Sequence, residues 1–442
     1  MAQLDLQKLD RDIRAAAKAE RTWRRDLRAN VELAAGRAWH EPVRYATTRT
    51  TFASVMDLPE GDVLRAPLLR WIHRLALSRI GERALVHAEA ERQLPKLELE
   101  KPLQGTHSAR DVVRRVLADR EAVRAGGFLV ALEARGPAVL AAERTSSEAL
   151  TEISSRLGVT DPSLVAAYPR DALAAEAERF LSVTADLADS LFRPHEDLAH
   201  LLGELVARDV PGIWPSRAHA RWLFEQFQST PLLEGLVLDL GPTPPPLGAA
   251  SFARSLARFG AAYARAAAPA RAPFVLTHDA DDAHPLRRGA LFASLVADAS
   301  FLQKKLAFSR EEAKKVGRAL AKTLLADARL AATRTLVDLA MATPSGIREL
   351  VEDAVRVRVA EGLGCVLPRA RSRAPERLLA SFLAHADRED LCSVHDEDWF
   401  LNPRALFALR DRDAAPRLVP LAKEAIEGAA LRLARTLEIL AG

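Results

Sequence analysis

Residues Ser309 to Gly364 constrain the fold of this chain most, because they read as two helices in series joined at Thr343-Pro344-Ser345-Gly346. Ser309 fits an N-cap, and Glu312 three residues later completes a capping box, so two otherwise orphaned backbone N–H groups find partners. Behind it Ala313, Val316, Leu320, Leu324 and Ala328 recur at steps of three and four, the period of one helix face. The pattern runs to Ala340 without a proline. It stops at Thr343-Pro344, where proline suits the first turn of a new helix. That second helix carries Ile347, Leu350, Val351 and Ala354 and finishes at Gly362. Nothing in this stretch is chemistry; it is a long patterned support for other helices.

The rest of the composition agrees. Ala, Leu, Arg and Glu dominate, aromatic residues make up 5% and β-branched runs are short, so an all-α multi-helix array with short strand or extended segments is expected. Any strand is expected to be confined to short segments near 43–52, 236–240 and 273–277. The first reads as a strand pair or an extended loop, and the second as a strand or a helix end. A chain of 442 residues can bury a sizeable core and suggests two or three domains. The breaks divide it into an N-terminal helical region (1–104), a central one (105–240) and a C-terminal one (249–442). The Pro-rich GPTPPPLG segment at 241–248 serves as a stiff linker. Gly126-Gly127 and Gly136-Pro137 are expected to interrupt helix, with a new start at Thr145-Ser-Ser-Glu148.

Charge excludes some partners. With 63 cations against 59 anions there is no chain-wide nucleic-acid footprint. Cys365 and Cys392 give no disulfide framework, which fits a reducing compartment. The charged N-terminus lacks the apolar run of a signal peptide, and no apolar stretch is long enough to span a bilayer. A bacterial cytoplasmic protein is expected, with the Arg-over-Lys bias of a GC-rich genome and no membrane or nucleic-acid partner. A protein partner or self-association is the expected mode of interaction.

The first helix, 2–36, carries a seam of Leu6, Leu9, Ile13, Ala16, Trp23 and Leu27, broken by one polar slot at Glu20. Such a seam packs on other helices. Beside it Arg11, Arg14, Lys18, Arg21, Arg25 and Arg28 form a basic stripe. It reads as a solvated face, or else as a surface for phosphates or an acidic partner.

Three clusters carry residues of metal-ligand type. In RPHEDLAHLLGEL, His195-Glu196 precedes His200; five helical residues turn by about 140°, so the two imidazoles diverge. Glu196, His200 and Glu204 do share a face, at i, i+4 and i+8, as metal ligands or as an exposed polar stripe. THDADDAHP offers His278, Asp279, Asp281, Asp282 and His284, and SVHDEDWF offers His395, Asp396, Glu397 and Asp398. Both also sit where helices start, and acidic residues are favoured there by the helix dipole.

HEDLAHLL opening a helix within a mostly helical chain resembles the M3-type zinc oligopeptidases. The resemblance implies a helical metallopeptidase fold over about residues 150–440. That family's second metal-binding His would stand at 199, and this chain has Ala199, so the resemblance implies a member without its metal shell. No catalytic residue is carried over. The expected function is a non-catalytic helical scaffold or interaction protein without a cofactor. The alternatives are a zinc-dependent hydrolase with an atypical site, and a nucleic-acid or acidic-partner binder using the basic helix.

Overall fold

The computed structural model describes residues 4–29, 31–35, 39–94, 107–108, 122–192, 201, 214–215, 218, 220–240, 248–269, 271–340, 344–359, 373–415 and 421–442. In chain order α1 (Leu6–Ala29), α2 (Val31–Ala35), α3 (Arg49–Met56), α4 (Arg65–Ile80), α5 (Glu82–Arg92) and α6 (Ala122–Leu157) form the N-terminal part. Then come α7 (Arg170–Val183), α8 (Ala185–Phe192), α9 (Ala220–Gln228), α10 (Ala249–Ala266), α11 (Phe274–Thr277) and α12 (Ala283–Ser294). The last are α13 (Ala299–Leu306), α14 (Arg310–Ala340), α15 (Pro344–Val355), α16 (Ala374–His395), α17 (Pro403–Ala414) and α18 (Ala429–Ala441). Strand pairing among the described residues is a two-residue antiparallel contact of Gln93–Leu94 with His107–Ser108. The fold is all-α, and among the described residues no helix is long and apolar enough to cross a membrane.

α14 is the spine. Its capping box forms as the sequence requires: Glu312 Oε2 accepts from Ser309 N–H at 2.8 Å, and Ser309 Oγ accepts from Glu312 N–H at 3.2 Å. Its first half places Ala313, Val316 and Leu320 in one core with Phe252, Phe259, Phe292 and Trp399. Its second half packs Leu325, Leu330 and Leu336 with Phe180, Phe382, Leu433 and Leu437. The seam of α1 lands elsewhere, where Leu9, Ile13 and Ala16 meet Phe52, Trp71, Ile72 and Val275.

The strand expectations at 43–52, 236–240 and 273–277 are corrected. Residues Glu41–Thr47 form a 3-10 helix, and Thr48 then caps α3 by accepting from Thr51 N–H at 3.2 Å. At Phe274–Thr277 the decisive partner is remote: Asp10 of α1 accepts from the N–H groups of Phe274 and Val275, both at 3.0 Å, capping α11. Residues 236–240 carry no regular structure. In the first two, capping outweighed local β propensity, locally at Thr48 and remotely at Asp10. The interruptions at Gly126-Gly127 and Gly136-Pro137 and the start at Thr145 are also corrected, because α6 runs through all of them with Pro137 inside. The proline forfeits one hydrogen bond, and packing against α5 carries the helix across it. Within the expected helix 2–36, the described residues are helical over Leu6–Ala29 and Val31–Ala35. Residues 241–247, most of the Pro-rich linker segment, lie outside the described residues.

Two close contacts fix the helices that matter below. A Cβ on Gly260 of α10 would lie 2.3 Å from the Arg288 carbonyl oxygen of α12. One on Gly289 would lie 2.7 Å from the Ala257 carbonyl oxygen. The two backbones therefore meet where neither can carry a side chain. Deeper in, the buried Arg329 of α14 ties two helix ends together. It donates to Leu181 O at 2.7 Å and Thr184 Oγ1 at 2.6 Å at the end of α7. It also donates to Asp353 O at 2.9 Å and to Ala354 O at the end of α15. A cation suits two C-termini whose carbonyls have no further helical partner.

Candidate functional site

The THDADDAHP segment joins α11 to α12, and the structure gathers charge around it from five other helices. Glu20, the polar slot in the α1 seam, is fully buried. Burying an unpaired carboxylate costs several kcal/mol, more than the roughly 1.5–3 kcal/mol a leucine there would gain. Glu20 is tolerated because its oxygens are saturated. Arg24 Nε donates at 2.6 Å, Ser78 Oγ at 2.6 Å, and Arg74 of α4 through Nε and Nη2 at 3.1 and 2.8 Å. Burial alone would raise its pKa; Arg74 and Arg24, with Ser78, hold it far below the usual carboxylate range.

Asp282 is the centre of the second group. It sits at the N-cap of α12 in the left-handed region (φ 58°, ψ 23°), which aspartate tolerates better than most residues, and its side chain does not cap the helix. Its neighbours cap instead: Asp281 Oδ1 accepts from Ala283 N–H at 3.2 Å, and Asp279 Oδ2 from His284 N–H at 2.8 Å. The freed Asp282 carboxylate turns to arginines. Arg373 Nη1 lies 2.7 Å from Oδ2, while Arg21 and Arg265 approach Oδ1 at 3.9 Å each. Against the effect of burial, Arg373, Arg74, Arg265 and Arg21 pull its pKa down to about 2.

A third group lies one turn along α12. Arg288 is buried and donates to both Asp413 oxygens at 2.8 Å and to Asp387 Oδ2 at 2.5 Å. Arg287 grips Asp387 with two bonds of 2.6 Å, and Arg412 Nη1 lies 3.2 Å from the same carboxylate. His284 Nε2 lies 3.2 Å from Asp413 Oδ1. Burial would raise the Asp413 carboxyl; His284 and Arg288 hold it well below the usual range.

Asp281 behaves oppositely. Burial first, then the nearby Asp279 and Glu376, push its carboxyl up to about 7. In the unfolded chain an aspartate loses its proton near pH 4, whereas the folded protein holds this one to about pH 7. Its raised pKa therefore removes stability progressively as pH rises across that window. Asp281→Asn keeps the Oδ1 acceptor for Ala283 and removes the charge. Urea unfolding should show it more stable than the native sequence by about 1–3 kcal/mol near pH 8. The two should converge near pH 4; a destabilised variant at pH 8 would refute this account.

The sequence-derived candidates fare differently. His195, Glu196, His200 and Glu204 lie outside the described residues, as does Cys365. His278 stacks on Phe274 with ring centroids 4.4 Å apart, and its Nδ1 is 2.9 Å from Thr277 Oγ1. His284 faces Asp413 instead. In SVHDEDWF, Asp398 binds Ser300 and Lys304 of α13. Among the described residues no three His, Cys, Asp or Glu side chains come together in a way that could hold a metal ion. Of the basic stripe, Arg11, Arg14, Lys18, Arg21 and Arg25 are exposed and Arg28 half-buried. Arg21 is the member that reaches the Asp282 group. Arg74, Arg265, Arg287, Arg288, Asp387 and Asp413 carried no motif.

Comparison with solved structures finds the same fold in a carboxypeptidase from Pyrococcus furiosus, determined in an apo-Mg form. The TM-score is 0.53 and the identity 13%, with 98% of this chain and 97% of that chain covered. The likeness is one of fold. No protein-family model matches the sequence, and no curated protein matches it. The coarser sequence expectation, a helical fold shared with a peptidase, is met across nearly the whole length.

Proposed function

We propose that this chain is a non-catalytic interaction protein built on a helical carboxypeptidase-like fold. The observation that carries the reading is positive engagement of the described candidate ligands. His284 belongs to the Arg288–Asp413 ion-pair group, and His278 is stacked on Phe274 and bonded to Thr277. A metal recruiting either would first have to dismantle buried ion pairs or aromatic packing. A partner surface is supported by exposed Arg11, Arg14, Lys18 and Arg25 on α1, and by exposed Val394, Leu401 and Phe407 around the α16–α17 junction.

The competing reading is a zinc-dependent peptidase. It rests on the fold shared with a carboxypeptidase and on HEDLAHLL, which also carries the likeness to M3-type zinc oligopeptidases. The two readings diverge on metal. Protein purified without added metal should contain far less than about one zinc per chain and show no chelator effect on thermal stability. It should also release no amino acid from peptide substrates when zinc or magnesium is supplied. Stoichiometric metal, lost together with stability in His195→Ala or His200→Ala, would put the hydrolase first.

A further inference from the structure

We propose that the arginines over Asp282 form a binding site for a phosphate-class dianion, free or as a monoester. This goes beyond the interaction reading and does not depend on it. Exposure grades across this group from a buried floor to an open rim. Glu20, Arg24 and Arg74 make the floor, where every Glu20 oxygen is saturated. Arg21, Arg265 and Arg373 make the rim, with side chains 51%, 32% and 31% exposed.

Among the described residues, charge is in surplus there. The guanidiniums of Arg21, Arg24, Arg74, Arg265 and Arg373 face two buried carboxylates, Glu20 and Asp282. Asp239 bears on Arg265 and Asp281 on Arg74 more weakly, and Arg70 answers Asp281 and Asp279. Like charges held this close are mutually unfavourable unless something neutralises them.

Donors are in surplus too. At 3.9 Å neither Arg21 nor Arg265 hydrogen-bonds Asp282. The Arg265 Nε–H is buried with no hydrogen-bond partner among the described residues, and its Nη1 reaches only Ala261 O at 3.4 Å. An unsatisfied buried N–H on a charged group calls for an acceptor. The backbone points the same way, since Asp282 adopts a left-handed conformation and gives up its capping role to stand among these arginines.

The ligand class follows from the approach directions. The rim arginines come from α1, α10 and the start of α16, three separate elements converging on one carboxylate. Asp282 takes Arg373 through one contact, Nη1 to Oδ2 at 2.7 Å, and leaves the Arg21 and Arg265 guanidiniums at 3.9 Å without a hydrogen bond to it. A tetrahedral phosphate offers three oxygens in non-coplanar directions and a charge close to −2 at neutral pH.

The test is calorimetric titration of the full chain with inorganic phosphate, phenyl phosphate and succinate, at ionic strength held constant with chloride. The expected result is saturable phosphate or monoester binding with Kd below about 1 mM. Arg265→Gln and Arg21→Gln should each weaken it about tenfold or more. Asp282→Asn, which removes a competing anion, should tighten it. Arg14→Gln, exposed on α1 outside this cluster, should leave it unchanged. Equal affinity for the two phosphates assigns free phosphate, and a clear preference for phenyl phosphate assigns a phosphorylated molecule. Binding insensitive to Arg21 and Arg265, weaker binding in Asp282→Asn, succinate binding as tightly as phosphate, or no saturable binding would each overturn the proposal. Unchanged far-UV circular dichroism of every variant separates lost binding from lost fold.

Discussion

Arg288→Met should destabilise the protein by about 3–5 kcal/mol, because it strips the buried guanidinium from Asp413 and takes one partner from Asp387. Asp413 would keep His284 at 3.2 Å and the neighbouring Tyr263 hydroxyl, and Asp387 would keep Arg287 and Arg412. Methionine restores most of the stem packing, so the loss reports charge rather than volume. Two further measurements identify the cause. Adding Asp413→Asn should recover part of the loss, since it removes the worse-placed charge. The deficit should also shrink as pH falls, beginning at the variant's raised Asp413 pKa and continuing below about 4. Asp413 without its arginine has a raised pKa, and an acid with a raised folded pKa favours the folded state at low pH. In the native protein the same carboxyl is depressed, and its contribution is lost as pH falls. Urea denaturation at several pH values measures both. A loss under about 1 kcal/mol would mean the pairs are solvated like surface ones.

Much of the architecture was legible because helix capping and apolar period are local. The Ser309–Glu312 box and the stripe behind it needed no tertiary information, and α14 forms as that pattern requires. What failed locally was decided remotely: α11 is capped by Asp10 from the other end of the chain. The site was half legible. Glu20 was visible as a polar slot in an apolar seam, and THDADDAHP as a cluster of titratable residues. Their partners were hidden among the chain's many arginines. One signal existed and could have been used. Arg288 falls in step with buried Pro285, Phe292 and Leu295, and Arg329 with Leu325 and Leu336. A guanidinium on the apolar face of a helix must find buried acceptors, and sequence can say that without saying which.

Arg329→Met is the second substitution expected to cost about 3–5 kcal/mol, and for a different reason. Arg329 faces backbone carbonyls rather than carboxylates, so its removal leaves no stranded charge. It leaves Leu181 O, Asp353 O and Ala354 O, at the ends of α7 and α15, without the donor they share. Burial already works against the cation and lowers its pKa to about 10, still far above neutral, so the side chain is charged throughout the working range. The loss from Arg329→Met should therefore be flat between about pH 5 and pH 8, unlike that from Arg288→Met, which should shrink towards acid. Arg329→Lys keeps the charge but cannot span two helix ends with one compact ammonium, so it should recover only a minor part. Hydrogen exchange gives the local readout. The last turns of α7 and α15 should lose protection together, while the Phe252–Phe292 core on the other half of α14 keeps its own. Independent loosening of the two ends, or full rescue by lysine, would show that Arg329 is not the tie between them.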